Sequence, residues 1–89
     1  MKNEISNAMP EKTKSTENLI QELIFHQQTK VLKVARDIVP NATPEDIRNP
    51  QDFPELSLDP FFNYEDGVLT GYLTIQTALR KQIRKENIS

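Results

Sequence analysis

Cysteine and tryptophan are absent from this chain of 89 residues, which has one histidine and two glycines. Without cysteine there is neither a disulfide scaffold nor a thiolate metal site. His26 has no second and third ligand at metal-binding spacing and no paired nucleophile. No Gly-rich phosphate loop, zinc spacing or nucleophile elbow occurs. No apolar run approaches the roughly 18–20 residues that cross a bilayer. Residues 1–15 hold no apolar stretch of secretory-signal length, so a cytoplasmic location is expected. An excess of one charge is also lacking: 11 Lys+Arg stand against 13 Asp+Glu, a net −2. A polybasic nucleic-acid binder is strongly cationic by comparison. On these grounds no catalytic residue, metal ligand, cofactor, membrane contact or small-molecule substrate is assigned, and the expectation is a protein that is not an enzyme.

What is present is unevenly placed. Residues 1–36 carry a net charge of +2, residues 37–66 carry −7, and residues 67–89 carry +3. Five of the six prolines (Pro40, Pro44, Pro50, Pro54 and Pro60) share the acidic middle, which cannot therefore be one helix. The expected organisation is a disordered polar tail over 1–15, one helical domain over 16–86, and a C-terminal end at 87–89. Within the domain, a helix of about 16–39 and another of about 60–86 flank a connector over 40–59.

In the first helix Ile20, Leu23, Ile24, Val31, Val34, Ala35 and Ile38 recur on one face. Gln27 interrupts that face, either bonded within the chain or setting register against a second copy. Phe25, Leu32 and Val39, seven apart, form another stripe that calls for a cover, from the connector's Phe residues or from a partner. In the second helix the row Phe61, Tyr64, Val68, Tyr72, Ile75, Leu79 and Ile83 has near-heptad spacing and predicts the packing face. Gly67, Gly71 and Ala78 on one flank predict close approach of the first helix, since each mid-helix glycine costs about 1 kcal/mol relative to alanine and needs a reason. Leu69 and Leu73 lie on the other flank.

Thr43-Pro44-Glu45-Asp46 predicts a short helix over 44–48, with Thr43 as cap and Pro44 at the first position. Asp59-Pro60 predicts the start of the second long helix, with Asn63 as a later alternative. Between them, Phe53, Leu56 and Leu58 are expected to anchor an extended or turning segment. The fold class is therefore all-α: two long antiparallel helices, with an ordered Pro-rich connector that contains a short third helix. The apolar face of the second helix is wider than one partner helix covers, which predicts either a connector folded back over it or self-association, the latter as a homodimer with four helices.

The function expected is a protein–protein interaction module, such as an adaptor, chaperone-like or regulatory subunit. Phe25, Leu32, Phe53, Leu69 and Leu73 would contact a protein partner or a second copy, and the acidic connector would set partner choice. The alternative is a nucleic-acid-associated regulator using Arg80, Lys81, Arg84 and Lys85. The negative end of the helix dipole also accounts for that cluster.

Overall fold

The computed structural model describes residues 11–88, with side chains from Lys14 to Glu86. Four helices follow in order: α1 (Glu11–Ile38), α2 (Pro44–Arg48), α3 (Pro54–Ser57) and α4 (Pro60–Ile88), with a 3-10 turn over Pro50–Asp52. The long pair α1 and α4 forms the expected helical hairpin in a rod of 54 × 22 × 18 Å. Residues 1–10 of the expected tail lie outside the described residues, whereas residues 11–15 belong to α1. Glu11, Lys12 and Lys14 are good helix formers, and extending an existing helix adds one hydrogen bond per residue fixed.

The two long helices meet along a heptad seam. On α1 it runs Glu17, Ile20, Ile24, Gln27, Val31, Val34 and Ile38, every member buried or half-buried. On α4 it runs Phe62, Glu65, Leu69, Tyr72, Gln76, Leu79 and Ile83, again buried or half-buried throughout. Both rows alternate spacings of three and four, as in a coiled coil. The α4 row differs from the one expected. Tyr72, Leu79 and Ile83 belong to both, but Phe61, Tyr64 and Ile75 are 76%, 69% and 54% exposed.

This roll of α4 originates at its first turn. The Asp59 carboxylate accepts the backbone N–H of Phe62 at 2.8 Å, and Pro60 occupies the first helical position. The cap fixes the phase at which the helix leaves the connector, which turns Phe62 under Leu56. Phe62, Leu56, Val31, Ala35 and Ala42 form the fully buried core, at the connector end of the rod. Burying Phe62 and Leu69 removes more apolar area from water than burying glycine. Accordingly Gly67, Gly71 and Ala78 are exposed, and a Cβ at either glycine would meet nothing within 4 Å. The close helix approach expected at these three residues does not occur within the chain.

The connector is more helical than its prolines suggested. Thr43 caps α2 through a full capping box: its hydroxyl accepts from Asp46 N–H at 3.2 Å, and the Asp46 carboxylate accepts from Thr43 N–H at 3.0 Å. The segment expected to be extended or turning makes the 3-10 turn and the short helix α3, each opened by a proline at a position where no N–H is needed. Leu56 is fully buried and Phe53 packs on the core, but Leu58 is exposed and anchors nothing. Arg36 Nε donates to the Ala42 carbonyl at 2.9 Å, and Asn63 Nδ2 donates to the Ser57 carbonyl at 3.0 Å, pinning both ends of the connector to the long helices.

Candidate partner-binding groove

Four of the five residues assigned to partner binding converge. Phe25 and Leu32 on α1 and Leu69 and Leu73 on α4 line one side of the hairpin, with Gln28, Thr29, Pro44, Ile47, Arg48 and Asp66 completing the lining. The concavity holds about 420 Å³. That is within the roughly 300–1,000 Å³ range of ligand sites, but this one is an open trough along the helices. Phe53, the fifth residue, lies elsewhere: it packs against the core cluster.

The Phe25–Leu32–Val39 stripe is covered only in part: Leu32 and Val39 are half-buried, whereas Phe25 is exposed. Pro44 and Ile47 flank Leu32, and Val39 packs on the core. Phe25 remains 65% exposed, with its ring edge-on to His26 at a centroid distance of 5.9 Å. Exposed Phe25 and Leu73 thus form the outer lip of the groove, and half-buried Leu32, Ile47 and Leu69 its floor.

Asp66 gives the groove its chemistry. It is half-buried on α4 beside Leu69, and loss of hydration pushes its carboxyl above the usual range. Among the described residues its carboxylate makes no hydrogen bond or ion pair. Arg48, on the same lining, is already engaged by Glu45 at 2.6 Å. An apolar trough beside an uncompensated carboxylate suits a partner surface that brings both apolar side chains and a cation.

Sequence reasoning missed the other six lining residues, among them Pro44, Ile47 and Asp66. Pro44 and Ile47 enter the sequence reading only as parts of the short helix over 44–48, with Pro44 at its first position. Ile47 carried a usable signal, as the sole apolar side chain of the short helix.

The remaining candidates sit apart. Gln27 is only 7% exposed, and its side-chain amide donates to the Glu65 carbonyl and to Glu65 Oε1, both at 2.8 Å. It is therefore bonded within the chain. Arg80 pairs with Glu17 at 3.5 Å across the open end of the hairpin. Lys81, Arg84 and Lys85 line a shallow hollow with Ala78 and Gln82, without an aromatic platform for bases. Among the described residues no three His, Cys, Asp or Glu side chains come together to hold a metal ion, and no helix is long and apolar enough to cross a membrane.

No protein-family model, curated protein or solved structure matches this chain. The site is read from its geometry alone.

Proposed function

We propose that this protein is a non-enzymatic interaction module of the cytoplasm, and that its groove seats an amphipathic helix of a partner protein carrying a lysine or arginine beside its apolar residues. The observation that carries this reading is the convergence of Phe25, Leu32, Leu69 and Leu73 with Ile47 along one open trough. A helix lying there buries residues spaced i, i+3, i+4 and i+7 in the manner of helix-in-groove recognition. Its cation meets the Asp66 carboxylate, which is already partly stripped of water and needs little further desolvation.

The test uses synthetic amphipathic helices of one apolar pattern, with either lysine or glutamate at the flanking position. Binding is read by amide shift changes in the labelled protein. The lysine peptide is expected to shift the residues around Leu32, Ile47, Leu69 and Leu73. Leu73→Asp, an exposed substitution that spares the core, is expected to weaken that binding at least tenfold. Equal binding of both peptides, or equal binding by Leu73→Asp, rejects the reading.

A further inference from the structure

The crevice between α1 and α4 does not stop where the apolar trough does. Two contacts between the long helices fix its direction. Gln27 bonds Glu65 at 2.8 Å toward the connector end, and Glu17 pairs with Arg80 at 3.5 Å toward the open end. Asp66 follows Glu65, so it stands at the level of Gln27 on α1. Leu69 and Leu73 then step toward the open end, about one and two turns on.

The helical repeat shows what lies beyond them. Five full turns of an α-helix take about 18 residues and about 27 Å. Arg84 stands that far beyond Asp66 and returns to the same line of α4. Lys14 stands that far before Leu32 and returns to the same line of α1. Lys14 is also about one turn from Glu17, and Arg84 about one turn from Arg80. The pair that bridges the helices therefore sets both cations at the open end of one crevice. Both are exposed, and among the described residues neither makes a hydrogen bond or ion pair. Along the groove side stand the Asp66 carboxylate, then the apolar stretch of Phe25, Leu69 and Leu73, and then the two cations. A uniformly basic partner is attracted at Asp66 and repelled at Lys14 and Arg84, and a uniformly acidic one the reverse. Only a helix whose charge changes sign along its length is attracted at both ends.

We propose that the partner is a dipolar helix, with its lysine or arginine beside Asp66 and a pair of acidic residues about four to five turns away, between Lys14 and Arg84. Its apolar residues fill the trough on the face that joins the two charged ends. Such a partner presupposes that the groove seats a helix, as proposed above. A helix can be laid down in either direction, so the order of the charges in the partner's sequence is free, whereas their separation is not.

The experiment uses three synthetic helices of about 24 residues, long enough to span both charged ends. All share one apolar row and a lysine for Asp66, and they carry Glu, Gln or Lys at the two distal positions. Affinities are read by amide shift titration of the full chain at low salt. For the wild type the distal-Glu helix is expected to bind tightest and the distal-Lys helix weakest. About fivefold is expected between Glu and Gln, the size of two exposed ion pairs. High salt is expected to level the three affinities. Combining Lys14→Glu with Arg84→Glu alters two exposed positions far from the buried core. That protein is expected to keep its far-ultraviolet circular dichroism and to bind the distal-Lys helix best. The wild-type series is read independently of it. Equal binding of all three helices by the wild type overturns the dipolar partner and leaves the groove reading in place. An order that the folded double variant fails to change does the same, because the distal charges then act elsewhere. Absence of binding by every helix overturns both.

Discussion

At the scale of single residues, two polar side chains near the packing surface of the hairpin behave oppositely. Gln27 is buried and satisfied by Glu65, so its cost of desolvation is offset by two hydrogen bonds. Asp66 is half-buried and, among the described residues, its carboxylate has no partner, and burial raises its pKa from the ordinary 3.8. For an acid with a raised folded pKa, the folded chain holds the proton more tightly than the unfolded chain. The contribution to stability is then greatest below pH 3.8 and is lost as pH rises through the folded value. Asp66→Asn removes the ionisation and keeps the shape. It is expected to stabilise the free protein at pH 7 and to differ little from wild type below pH 3.8, as measured by urea unfolding at both pH values. A variant less stable than wild type at pH 7 would show that the carboxylate already has a cation in the free protein. The same substitution is expected to weaken a lysine-bearing peptide, because the cation then meets a neutral amide.

At the scale of elements, α4 is a poor helix former held in place by its packing. It carries Gly67, Gly71 and three threonines (Thr70, Thr74 and Thr77), whose hydroxyls donate back to the carbonyls four residues earlier. Since nothing lies within 4 Å of a Cβ built at Gly67, Gly67→Ala meets no obstacle within the chain. It is expected to raise stability by about 0.5–1 kcal/mol through the entropy of the unfolded chain. Thermal melts of the two proteins measure the change. A loss of stability would mean that something approaches the glycine after all. The same helix shows where the sequence was readable. Its start at Asp59-Pro60 and the capping box of α2 were legible, because caps are local chemistry between residues three apart. The existence of the hairpin was legible from proline placement and helical periodicity. The roll of α4 was not. Its true seam contains Glu65 and Gln76, which a ranking by hydrophobicity rejects, and Phe62 enters the core only because the Asp59 cap and the connector turn it there. The groove was half legible for a related reason. Phe25–Leu32 and Leu69–Leu73 declare themselves by spacing within one helix, and Asp66 shares the face of Leu69 and Leu73 on α4, whereas Ile47 and Pro44 join them only through the path of the connector.

At the scale of the whole molecule, the rod is unequal along its length. Every side chain of the fully buried core cluster lies at the connector end, where α1, α2, α3 and α4 meet. Toward the open end only the two long helices remain, with half-buried Ile20, Leu79 and Ile83 and the Glu17–Arg80 pair at 3.5 Å. An ion pair as exposed as that contributes little. The proposed surfaces differ in the same way, since the groove floor is braced by α2 whereas the basic end of α4 is not. Stability should therefore be graded rather than uniform. Backbone amides around Val31–Ala35 and Phe62–Leu69 are expected to exchange most slowly with solvent, and those of residues 14–20 and 79–86 much faster. Phe62→Ala is expected to cost about 3–5 kcal/mol, a loss comparable to the whole stability of a core this small. It should unfold the chain as a unit and abolish protection everywhere. Ile83→Ala, by contrast, should speed exchange only at the open end and leave the slow amides slow. Equal protection along both long helices in the free monomer would mean that the seam, not the connector core, holds the hairpin together. The acidic, proline-rich segment that sets the two long helices apart in sequence would then be dispensable for holding them together.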